Sequence, residues 1–152
     1  MENNIKAFWK EFLRKNGLDE QTEYIECFHF ELTEYWANEL LRLVLEGQKR
    51  ATSSSLWGYE NNGEKSPQPG DYSIVTDWEG NPRCVIQTTS VTVLPFNRIT
   101  YELCKLEGED DNLESWQEGH RSFFRREGEE RGYSFSEEMP VIFEEFQVVY
   151  RT

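Results

Sequence analysis

The amino-acid sequence predicts an α+β fold, a small mixed β-barrel with helices packed on its outside. Its elements read in the order helix, helix, loop, strands, helix, strand, without the regular strand–helix alternation of a doubly wound sheet. The chain has 152 residues, the length of one ordinary domain, so those strands share a single core. Phe 10, Tyr 7 and Trp 5 supply the apolar area for that core, despite 30% charged residues.

Ile5, Phe8, Trp9, Phe12 and Leu13 recur at helical spacing and Asn16-Gly17 supplies a stop, so Ile5–Lys15 is a short amphipathic helix. Thr33–Glu46 is the second helix. Trp36, Ala37, Leu40, Leu41, Val44 and Leu45 form its stripe, Thr33 caps the start and Gly47 suits a left-handed exit. Gly58–Gly70 collects turn formers and two prolines and reads as a loop. Asp71–Trp78 and Arg83–Leu94 are rich in Val, Ile, Thr and Tyr and flank Glu79-Gly80-Asn81-Pro82, a hairpin signal. Helical spacing returns over Asp111–Arg126, where Leu113, Trp116, His120, Phe123 and Phe124 share a face and Asp111 with Glu114 resembles a capping box. Trp116, Phe123 and Phe124 form its core side. Val141–Tyr150 is β-branched and aromatic, a closing strand.

The net charge is −13. Such a surface repels phosphate backbones and anionic lipid, which argues against DNA or membrane partners and requires any basic contact to be local. Cys27, Cys84 and Cys104 are an odd number without CxxC spacing, as expected of free thiols in a reduced, cytoplasmic protein. No metal-ligand spacing and no cofactor motif is present, and no signal peptide or run of ~20 apolar residues occurs.

One stretch stands out chemically. In Gly47-Gln48-Lys49-Arg50-Ala51-Thr52 a helix ends, a glycine turns the chain, and a cation and a hydroxyl follow three residues apart. The spacing suits a cleft, and equally a helix C-terminus whose cations complement the dipole. Glu107-Gly108-Glu109-Asp110-Asp111 reads on its own as a solvated acidic turn before a helix, and Ser53-Ser54-Ser55 as loop and cap chemistry. His120, within an aromatic stripe, is a packed and hydrogen-bonded residue, and Cys27 and His29 are core or edge positions.

The ordered series of these segments is more specific than any of them. Trp36–Leu45 leads into Gly-x-Lys-x-x-Thr; Pro69-Gly70-Asp71, the strand Cys84–Val93 with Pro95-Phe96, and Glu107-Gly108-Glu109-Asp110 follow; Leu113-Glu114-Ser115-Trp116 with His120 and Phe123-Phe124, then Met139-Pro140-Val141 with Phe146, complete it. From Glu31 to Tyr150 this resembles the ASCH-domain family, whose fold is PUA-like. The resemblance implies a domain over residues 31–152, with residues 1–30 as a helical extension packed on it. It also implies a cleft beside the Gly-x-Lys-x-x-Thr loop, serving a small nucleoside-like ligand or RNA. Some family members are acetylcytidine amidohydrolases, and the resemblance carries their working residues onto Lys49, Thr52 and Glu107. Arg50, Trp57 and Tyr59 are the substrate-binding candidates beside them. A ribonuclease branch would draw on Tyr59 and Ser134. For amide hydrolysis, either Lys49 activates Thr52, or Glu107 activates water while Lys49 stays charged and holds the oxyanion. None of the three is needed by the barrel, so Lys49→Ala is expected to leave stability unchanged.

Overall fold

The computed structural model describes residues 2–152, except the side chain of Glu2. Its elements are α1 (Glu2–Lys15), β1 (Glu26–Phe28), α2 (Glu34–Leu45), β2 (Ala51–Ser55), α3 (Leu56–Asn61), β3 (Tyr72–Thr76), β4 (Pro82–Pro95), α4 (Tyr101–Cys104), α5 (Leu113–Arg131) and β5 (Pro140–Arg151), with single 3-10 turns at Phe96–Arg98 and Lys105–Glu107. The five strands form one curled half-barrel in the order β1-β3-β4-β5-β2. All pairings are antiparallel except β1 with β3. Because β1 and β2 are both edges, the barrel stays open between them.

The strands form where their side chains are covered on both faces. Ile74 and Val85 pack under Phe8, Trp9, Phe12 and Leu13 of α1. Their neighbours Val75, Cys84 and Ile86 point the other way, into a cluster with Leu40, Leu41, Leu43 and Val44 of α2 and with Phe146. A third cluster joins Trp116 and Phe124 of α5 to Phe96, Met139 and Val141. All three cysteines are free, with Cys84 and Cys104 buried and Cys27 exposed on the edge strand β1. Among the described residues no helix is long and apolar enough to cross a membrane.

The structure departs from the sequence reading at several places. Trp36 is 47% exposed and Leu43 takes its place inside, because the inward stripe of α2 is set by the strands it meets. The cap of α5 is Asn112, whose side chain accepts from the Ser115 N–H, so the helix begins after Asp111 and runs on to Arg131. The region expected to be loop begins inside α3. Ser53–Ser55, expected as loop, lies in β2: the ladder to β5 overrides the weak strand propensity of serine, and Ser55 then caps α3. Strand β1 falls within the segment assigned to the extension, and its parallel pairing to β3 makes it part of the sheet.

Candidate functional site

A cleft of ≈ 500 Å³ opens where the barrel fails to close, lined by β1 and β2 from its two edges, by α3 and α5, and by the Lys105–Glu109 segment. Volume and concavity are those of a small-molecule site. Two turns fix its reactive end. Gly47, at φ +83, ends α2, and the N–H groups of Gln48 and Lys49 then return to the Leu43 carbonyl, which aims Lys49 inward. On the facing segment Gly108 sits at φ +73 with its Cα so close that a Cβ would meet the Gln48 carbonyl at 2.5 Å. The Arg50 N–H to Leu106 carbonyl bond of 2.8 Å clips the two segments together.

Lys49 is 2% exposed. Its ammonium donates to the Ala51 carbonyl at 2.9 Å, to Glu107 Oε1 at 3.3 Å and to Glu109 Oε2 at 2.6 Å, which uses all three donors. Glu107, 1% exposed, also accepts from Ser53 Oγ at 2.8 Å and Trp116 Nε1 at 2.7 Å, both on Oε2, and His120 Nε2 lies 3.4 Å from its Oε1. His120 stacks on Trp116 at 4.2 Å, with Nδ1 at 2.8 Å from the Trp116 carbonyl. A nitrogen facing a carbonyl must donate, and one facing a carboxylate is best protonated, so the geometry selects the imidazolium.

These contacts set the charges. Burial alone would push the Glu107 carboxyl up, but His120 and Lys49 outweigh it and hold it well below the usual carboxylate range. Burial likewise pulls Lys49 down, and Glu109 and Glu107 more than reverse it. His120 is drawn down by burial and raised further by Glu107. Glu109 is pushed up by burial, against the pull of Lys49. Two cations therefore face two carboxylates. Lys49 remains an ammonium and Glu107 a carboxylate with little basicity, which removes Lys49 as the base for Thr52. The burial also revises the expectation that Lys49→Ala is harmless, since it would strand two carboxylates beneath the surface.

Thr52 lines the same cleft but on the other face of β2 from Ser53, so the hydroxyl bonded to Glu107 belongs to Ser53. Tyr59 also lines the cleft, with its hydroxyl bonded to Glu26 and Ser54. Arg50 is exposed and opens onto a separate surface groove with Phe146–Arg151, because successive residues at the strand entry point in opposite directions. Trp57 packs against the α5 cluster and Ser134 is exposed, and neither lines the cleft. The sequence reading leaves Glu109 in a solvated acidic turn and His120 as packed and hydrogen-bonded, with an acid–base role only under the ribonuclease alternative. Their local signals are the acidic run for Glu109 and, for His120, an aromatic stripe interrupted by a histidine. Among the described residues no group of three His, Cys, Asp or Glu is arranged to hold a metal ion.

Glu144, 5% exposed, also lines the cleft and accepts from Thr88 Oγ1 at 2.6 Å. Burial pushes its carboxyl up to about 7, opposed by the Thr88 bond and assisted by Glu26 and Asp71. A carboxyl raised on folding holds its proton in the native state while the unfolded chain has lost it, so stability falls as pH rises from ~4.5 to ~7 and is level above. Glu144→Gln removes that loss. The variant is expected to be about 1–3 kcal/mol more stable than the parent at about pH 8, with the difference vanishing near pH 4. Urea midpoints at the two pH values check this; equal midpoints at the higher one would contradict it.

The ASCH domain profile matches residues 26–150. Of solved structures, the ASCH domain from Lactobacillus crispatus JV V101 is 36% identical, with a TM-score of 0.87 over 99% of this chain and 97% of that one. A protein from Enterococcus faecalis V583 is 32% identical, with a TM-score of 0.91 over 99% and 91%. No curated protein matches the chain.

Proposed function

The chain belongs to the ASCH-domain family, and from that premise we propose that its cleft hydrolyses the amide bond of a small acylated nucleoside such as acetylcytidine. The observation that carries this reading is Lys49: a buried ammonium held between two carboxylates in the wall of a cleft that Thr52 also lines. Burying four charged groups is costly unless each is paired, and such clusters concentrate at functional sites. In this scheme Thr52 attacks the acyl carbon and the Lys49 ammonium holds the developing oxyanion. The oxyanion takes the place of Glu109, the partner of Lys49 with the greater exposure, at 17% against 2% for Glu107. Glu107 is then a positioning residue: it fixes Lys49, Ser53, Trp116 and His120 and stays ionised.

The chemistry of the walls favours a substrate without phosphates. Seven glutamates line the cleft, against Lys49, Arg131 and the His120 imidazolium; Arg131 is paired with Glu64, and Lys49 and His120 with Glu107. An RNA strand would bring phosphates against that wall, which makes the RNA-binding and ribonuclease readings weaker. The test is chromatography of acylated nucleosides incubated with the purified protein, with single-stranded RNA as a second substrate and ligand. Turnover of an acylated nucleoside is expected, abolished in Thr52→Ala and partly kept in Thr52→Ser. RNA binding or cleavage with no nucleoside turned over would overturn the reading.

A further inference from the structure

Resting on that hydrolytic reading, we propose that Glu144 is the proton acceptor for the Thr52 hydroxyl, so that nucleophile and base are contributed by paired positions on neighbouring strands. Thr52 and Glu144 stand opposite each other in the antiparallel ladder of β2 and β5. Residues so paired project from the same face of the sheet with Cβ atoms about 5 Å apart, a gap that a glutamate side chain spans to reach a hydroxyl. Both line the cleft. The Thr88 hydroxyl holds Glu144 Oε2 from β4, which orients the carboxylate.

The other candidates are committed elsewhere. The Lys49 ammonium has no free position, and Glu107 is saturated by Ser53, Trp116, Lys49 and His120. Glu109 holds Lys49 until the oxyanion displaces it, so it is still committed while the Thr52 proton is being lost. Glu144, by contrast, has no cation paired with it among the described residues. The titratable groups around it are Glu26 on β1, Tyr59 on α3 and Asp71 before β3. Together with burial these keep Glu144 close to neutrality in its titration, which is where a general base works best.

The step balances. Glu144 takes the Thr52 Oγ proton as Oγ bonds to the acyl carbon. The tetrahedral species collapses, the C–N bond breaks with its electron pair going to nitrogen, and Glu144 returns the proton so that the amine leaves neutral. Water then gives a proton to Glu144 and its hydroxyl to the acyl carbon. The C–Oγ bond breaks, Thr52 recovers its proton, and the net reaction is amide and water to amine and carboxylic acid.

The experiment uses two substrates on the full-length protein: 4-nitrophenyl acetate, with the acetyl group located by mass spectrometry, and acetylcytidine. The parent is expected to carry acetyl on Thr52. Glu144→Gln is expected to slow both acetyl transfer and turnover at least ~100-fold and to lose the rise of rate with pH near neutrality, while remaining folded by its urea midpoint. Glu144→Asp should keep that pH-dependent rise at a reduced rate. Glu144→Gln working within a few-fold of the parent, a retained pH rise in that variant, or no acetyl on Thr52 in the parent would each overturn the assignment. Acetyl transfer to Thr52 that needs Glu144, with no nucleoside hydrolysed, sinks the substrate reading and keeps this one. Nucleoside turnover unimpaired in Glu144→Gln does the reverse.

Discussion

Replacing Glu107 by Ala is expected to cost about 3–5 kcal/mol, because it leaves the Lys49 ammonium and the His120 imidazolium without their shared buried counter-ion. Ser53 and the Trp116 N–H lose their acceptor as well. The pH dependence follows from the direction of each shift. Glu107 is depressed on folding, so its contribution is complete above the ordinary carboxylate range and is lost as pH falls through its lower native value. His120 is raised, so its contribution is complete below ~6.5 and is lost as pH rises through its native value. The gap between parent and variant should therefore narrow towards both extremes. Urea unfolding as a function of pH measures it, and a gap below ~1 kcal/mol throughout would mean that the cluster is solvated after all.

Trp116→Ala is expected to cost about 3–5 kcal/mol. The indole is 0% exposed, stacked against Phe96 at 5.4 Å and His120 at 4.2 Å, and donates to Glu107. For a chain of this size the loss corresponds to a melting temperature lower by roughly 10 °C. Trp116→Phe separates packing from hydrogen bonding: it restores much of the volume, keeps about 1–3 kcal/mol of the penalty, and should move the Glu107 carboxyl upward. Since Trp116 and Glu107 touch, the double variant Trp116→Ala with Glu107→Ala should lose less than the sum of the two. A melting temperature unmoved by Trp116→Ala would contradict the packing described.

His120 shows how one residue carries both a packing and an electrostatic role. The aromatic stripe of α5 predicts a packed, hydrogen-bonded histidine, and the stack on Trp116 is that packing. The same stack turns Nε2 towards Glu107, an acid that is nine residues from Trp116 in sequence but lies across the turn before α5. The cluster thus depends on the helix being docked.

The long periodic elements were legible in the sequence because their own side chains decide them. The apolar stripes of α1 and α5, the Thr33 cap and Gly47 exit of α2, and the β3–β4 hairpin and β5 follow from spacing and turn chemistry within a few residues. The ordered series of motifs was enough to indicate the family and to single out Lys49, Thr52 and Glu107. What only the tertiary structure decided is everything that depends on a partner remote in sequence. Strand β2, Ala-Thr-Ser-Ser-Ser, carries only a weak strand signal of its own, and it exists because β5 pairs with it. That register turns Ser53 towards Glu107 and places Thr52 opposite Glu144, while Arg50 and Trp57, adjacent in sequence to site residues, face elsewhere. The charge states of Glu107, His120 and Glu144 follow from the same cause: a carboxylate or imidazole titrates according to the burial and the charges that folding brings to within a few ångströms, and no local pattern contains those neighbours.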